Sequence, residues 1–153
     1  MNRKEKVARA AGILEGEGSF LTKSGGHRPI ISCHMTDRDV VIGLQELWGG
    51  QVYFSKARKE GYKDTWKWQI GGDEAVKIMN EIKPFMYFRR TEKINQVVKA
   101  WEDQKSKIAQ IKNNGDRAAK EYLKTGLSLR QVATKYGISY ETVRRHLQDI
   151  NNH

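Results

Sequence analysis

The sequence predicts an α+β core of α-β-β-α-β-β-α order, followed by a small all-α module. Three observations predict this. Apolar residues recur at helical spacing in stretches beginning near Val7, Val40, Ala75 and Arg90. Between the first three stretches lie two pairs of short segments that alternate with period two. After residue 116 come three more short helical patterns. The expected organisation is a core over residues 1–105, a linker over 106–116 and a helical module over 117–153.

The elements follow in order. Val7, Ala8, Ala11, Ile13 and Leu14 form a first helix that stops at Gly16 and Gly18. Ser19 to Lys23 reads as a strand, and Gly25-Gly26 as the turn after it. From Arg28 to Thr36, Pro29, Ile31, Cys33 and Met35 share one face, and Arg28, Ile30, Ser32 and His34 the other. Thr36 or Asp37 can cap a second helix carrying Val40, Val41, Leu44, Leu47 and Trp48, which Gly49-Gly50 ends. A second hairpin pairs Gln51–Ala57 with Tyr62–Ile70, with Trp66, Trp68 and Ile70 on one face. Asp73 starts a third helix through Ala75, Ile78, Met79 and Ile82, and Pro84 breaks it. A long helix begins near Arg90. The polar stretch from Lys105 to Asp116, with Asn113-Asn114-Gly115, reads as the linker.

The 153 residues hold 28 Lys and Arg against 18 Asp and Glu, a net charge of +10, which points to a polyanionic partner. Both parts share the excess. Residues 1–104 carry 18 basic and 14 acidic side chains, and residues 105–153 carry 10 and 4. No apolar run reaches the roughly 18 residues of a membrane span, so no membrane partner is expected. A lone cysteine, Cys33, excludes a disulfide framework and a Cys-rich metal site. The expected setting is intracellular: the cytoplasm of a bacterial or phage-infected cell, or an organelle.

The stretch Ala10-Ala11-Gly12-Ile13-Leu14-Glu15-Gly16-Glu17-Gly18 stands apart. Small residues at Ala8, Ala11 and Gly12 allow two helices to approach closely. Two acids then fall at a helix C-terminus, where the dipole disfavours them. A divalent cation bound by carboxylate and carbonyl oxygens would relieve that conflict. On composition alone, a solvated acidic turn is the better account.

Followed by Ser19-Phe20, this stretch resembles the signature motif of the LAGLIDADG homing endonucleases. The element order over about residues 5–105, and the Pro84-Phe85 approach to the last helix, are similar too. The resemblance implies a saddle-shaped antiparallel sheet and metal-dependent, site-specific cleavage of double-stranded DNA at a long, partly palindromic target. It also implies an origin in introns and other mobile elements. One copy of the motif implies a homodimer joined through Ala8, Ala11 and Gly12. By the same resemblance Glu17 and the Gly16 carbonyl hold Mg²⁺ or another divalent cation such as Mn²⁺, and Glu15 is structural. Asp37 lies near the attacking water. Arg89 stands where the family often has a lysine; it can neutralise phosphate charge but is a poorer proton donor. The implied DNA-reading face comprises Ser19, Leu21, Lys23, Arg28, Ile30, Ser32 and His34, with Tyr53, Ser55, Lys67 and Gln69 from the second hairpin. A cleavage-deficient regulator or an intron-splicing maturase built on the same fold is the alternative.

The run from Leu127 to Leu147 resembles a helix-turn-helix of the resolvase type. Ala133 is small at the helix crossing, Gly137 supplies the turn, and Ser139 caps the second helix. Tyr140, Thr142, Arg144 and Arg145 are its candidate DNA-contacting residues.

Overall fold

A computed structural model describes residues 1–23 and 28–152, so the expected Gly25-Gly26 turn lies outside the described residues. The chain divides into two compact units, Met1–Glu102 and Asp103–His153.

In the first unit, helix α1 (Arg3–Glu17) starts in a capping box. The Asn2 side chain accepts the Glu5 N–H at 3.0 Å, and the Asn2 N–H donates back to the Glu5 carboxylate at 2.8 Å. Strands β1 (Gly18–Thr22) and β2 (Pro29–Met35) follow, then helix α2 (Arg38–Trp48), strands β3 (Gln51–Ser55) and β4 (Thr65–Gly71), and helix α3 (Asp73–Ile82). A 3-10 turn at Lys83–Phe85 contains Pro84 and separates α3 from α4 (Phe88–Lys124). The four strands form one antiparallel sheet in the order β1-β2-β4-β3. Strict alternation sends Phe20, Ile31, Cys33 and Trp68 into the core. There they meet Leu14, Val41, Leu44, Met79, Ile82 and Ile94 from the helices. The Trp68 indole N–H donates to the Gly49 carbonyl at 2.8 Å. The adjoining Gly50, at φ 91°, lies where a Cβ would come within 2.8 Å of the Gln69 carbonyl, so only glycine fits that bend.

Asp37 is the N-cap of α2, but its side chain makes no capping hydrogen bond, so the expected side-chain cap is absent. β4 begins at Thr65, three residues after the expected start at Tyr62, because the Asp64 carboxylate accepts the Ala57 N–H at 2.8 Å and closes the loop there.

The second unit contains the distal part of α4, helix α5 (Leu129–Tyr136) and helix α6 (Tyr140–Asn151). Residues 106–116 are helical throughout, within α4. Most of them are exposed, and Asn114 and Gly115 pack inside this unit. Gly115 is buried against the His146 ring, where a Cβ would collide, and the Asn114 amide donates to the Tyr136 carbonyl at 3.1 Å. Ala118, Val132, Ala133 and Val143 form the small core, with Ile138 and Leu147 packed on it.

Candidate nucleic-acid interface and acidic turn

The junction of α1 and β1 is tight. The Gly18 N–H closes the helix on the Leu14 carbonyl, and a Cβ at Gly18 would collide with that oxygen. The last turn of α1 contains no basic residue. The compensating cation comes from α4. The Arg90 guanidinium donates to the Glu15 carbonyl at 2.9 Å and to the Gly16 carbonyl at 3.4 Å. In return, the half-buried Glu15 carboxylate accepts the Tyr87 N–H at 3.2 Å, one residue before α4 begins. The two helix ends thus clamp each other.

Glu17 is exposed and has no hydrogen-bond or ion-pair partner among the described residues. Its neighbour across the sheet edge is Cys33, which pairs with Gly18. The Cys33 thiol is pushed up to about 11, first by burial and then by the Glu17 charge. Asp37 and Arg89 are also exposed, and no hydrogen bond or ion pair joins either to Glu17. Among the described residues, no group of three His, Cys, Asp or Glu could by itself hold a metal ion. At this turn the chain offers one carboxylate without a partner among the described residues, Glu17, beside the Glu15 and Gly16 carbonyls that Arg90 also engages. Oxygen donors of that kind fit half of a site for a hard divalent cation.

The pairing register sets out the sheet face turned away from the core. One row runs Ser19, Ser32, Gln69, Gln51 across all four strands; a second runs His34, Lys67, Tyr53; Leu21 stands opposite Ile30. Lys23 and Arg28 flank the ends of β1 and β2 and are exposed. His34 is hydrogen-bonded to the Thr65 hydroxyl at 2.9 Å, and the Tyr53 hydroxyl donates to Gln51. The expected reading residues within the strands lie on this one face, with Ser55 beside Thr65 at its edge. Gln51 and Thr65 were missed, although their alternation with Tyr53 and Lys67 places them there.

The expected helix-contact set changes at one position. Ala11 is fully buried, packed in the core with Leu14, and has no surface for the expected dimer contact. Gly12 is exposed, with open space where a Cβ would stand, and Ala8 is half-buried.

In the second unit, Gly137 adopts the left-handed conformation at φ 64°, and the Ser139 hydroxyl accepts the Thr142 N–H at 3.2 Å. Thr142 is half-buried, and its hydroxyl is bonded to Ser139 at 2.9 Å, so it is part of the cap. Tyr140, Arg144 and Arg145 are exposed. The Tyr140 hydroxyl is held above the usual phenol range, chiefly by its hydrogen bond to Glu141. The Arg144 and Arg130 charges act on it in the opposite sense, which adds Arg130 to this cluster. Arg90 and Arg130 were both missed. The Arg89-Arg90 pair after Pro84-Phe85 carried a hint of the first; the second carried none, because a charge in the first turn of α5 looks like any solvated residue.

Residues 116–153 match the helix-turn-helix Psq domain family. No curated protein matches the chain. Solved structures that resemble it over nearly their whole length include two DNA complexes. One is the homing endonuclease I-CvuI in complex with its target in the presence of Ca, at 15% identity and TM-score 0.50, covering 97% of this chain and 96% of that one. The other is the archaeal intron-encoded homing endonuclease I-Vdi141I complexed with DNA, at 15% identity and TM-score 0.48, covering 99% of this chain and 100% of that one. The likeness to I-CvuI shows the fold: the α+β core expected from the sequence is folded as in that structure.

Proposed function

We propose that this protein is a homodimeric, site-specific double-strand DNA endonuclease of the homing type, with a helix-turn-helix that adds DNA affinity. The carrying observation is Glu17: an exposed carboxylate without a partner among the described residues, beside a helix end whose Glu15 carboxylate and Glu15 and Gly16 carbonyls are engaged. The polar and basic sheet face beside it supports a groove-reading role.

Glu17 of each protomer, with a remaining lone pair of the Gly16 carbonyl, would hold Mg²⁺ or Mn²⁺. When bound, the cation supplies an activated water and neutralises charge on the attacked phosphate. The chain's own residues do the rest. Arg90 and Glu15 fix the helix end from which Glu17 projects. Asp37, free of any capping bond, is available to orient the attacking water. Arg89 would donate to the phosphate oxygens in a bidentate fashion. Ala8 and Gly12 would form the seam between the two copies of α1.

The test is cleavage of a plasmid bearing the DNA that flanks the gene, with Mg²⁺, by the unmodified protein and by Glu17→Gln. Linearisation by the first alone supports the reading. Tight binding by both with no cut identifies a cleavage-deficient regulator or maturase instead.

A further inference from the structure

The second unit has a basic surface apart from the α6 cluster. Arg117, Lys120, Glu121 and Lys124 recur at three- and four-residue spacing on one face of α4. With Lys135 and Tyr136 of α5 they line a shallow concavity of about 410 Å³. Its single acid is already engaged. The Glu121 carboxylate accepts from Lys135 Nζ at 2.5 Å and from the Tyr136 hydroxyl at 2.7 Å, and these two bonds hold it below the usual carboxylate range. It therefore stays ionised, and its charge is balanced by Lys135.

Arg117, Lys120 and Lys124 are left as three exposed cations with no ion-pair partner among the described residues. Arg117 is held over the Tyr136 ring, 5.3 Å from its centre, which orders its guanidinium. The three span seven residues, about 10 Å of helix axis. That is about three phosphate-to-phosphate steps along one DNA strand. The reading cluster uses Arg130, at the start of α5, and Tyr140 and Arg144 of α6; the second surface uses Lys135 and Tyr136, at the end of α5.

We propose that Arg117, Lys120 and Lys124 form a clamp for the phosphodiester backbone of duplex DNA, separate from the α6 surface that reads bases. This goes beyond the nuclease reading and requires only that the chain bind duplex DNA. Phosphate contacts carry no sequence information but set the salt dependence of binding.

The experiment measures the affinity of the full chain for a random-sequence duplex over a fourfold rise in salt, for wild type and for the triple variant Arg117→Gln, Lys120→Gln, Lys124→Gln. Three lost phosphate contacts flatten the log-log salt slope by about 2.7, so wild type should lose about 40-fold more affinity than the variant over that range. Glu121→Gln, which frees Lys135, should steepen the slope by about 1. The preference of the triple variant for the native site over random duplex should be unchanged. A folded triple variant with the wild-type slope overturns the clamp and leaves the nuclease reading standing. Wild-type protein that binds no duplex at all overturns both.

Discussion

Arg90 offers the sharpest test of how the acidic turn is held. Replacing it with alanine removes the bond to the Glu15 carbonyl at 2.9 Å and the weaker one to Gly16 at 3.4 Å. A hydrogen bond from a charged donor contributes about 1.5–3 kcal/mol. The loss of a cation at a helix C-terminus costs a further 0.3–1 kcal/mol or so. Arg90 is only half-buried, and water takes over part of both terms, so the expected destabilisation is about 1.5–2.5 kcal/mol. For a unit of about 100 residues this lowers Tm by on the order of 10 °C. All four tryptophans, Trp48, Trp66, Trp68 and Trp101, lie in the first unit, so their fluorescence follows that unit alone during thermal unfolding. Arg90→Lys should recover part of the loss, because an ammonium reaches one carbonyl but cannot span two in a fork. Arg89→Ala should leave Tm unchanged, since Arg89 is exposed and no hydrogen bond or ion pair joins it to the turn. If Arg90→Ala melts within about 1 °C of wild type, or Arg89→Ala shifts Tm equally, the clamp does not hold the turn.

Glu17→Gln should abolish cleavage, by 100-fold or so or more, while leaving duplex affinity nearly intact, as nicking and binding assays on one substrate would show. Arg89→Ala should slow cleavage more than Arg89→Lys, at unchanged Tm; equal rates would remove Arg89 from the phosphate. Light scattering should give twice the 17.6 kDa chain mass for wild type and the single mass for Gly12→Leu. The open space around Gly12 lets the protomer itself tolerate that leucine, so a dimeric Gly12→Leu would relocate the interface. The folded Cys33 thiol is raised from 9.0 to about 11, so its stabilising contribution is complete below pH 9 and is lost as pH rises through about 11. Cys33→Ala should flatten the fall in stability over that window, and an unchanged alkaline profile would refute the assignment.

Short-range pattern accounts for much of this protein. Period-two alternation is a property of the extended backbone itself, so the two faces of every strand could be read before any pairing was known. Gly49, Gly137 and Ser139 mark their turns and caps by conformations and hydrogen bonds that involve only neighbours in sequence. The run of motif residues through Glu17 and the helix-turn-helix spacing were legible for the same reason. The remainder depended on which surfaces meet. Ala11 and Gly12 are adjacent and both small, yet one is fully buried and the other faces open space, because a helix turns about 100° per residue and only packing decides which side is covered. Asn113-Asn114-Gly115 has the composition of a break, yet α4 runs through it, and the glycine is where the His146 ring fills the space a side chain would need. Arg90 and Glu15 are 75 residues apart, and their partnership exists only where the end of α1 meets the start of α4. A charge at the surface and a charge closing a helix end look alike along the chain; the tertiary contact is what separates them.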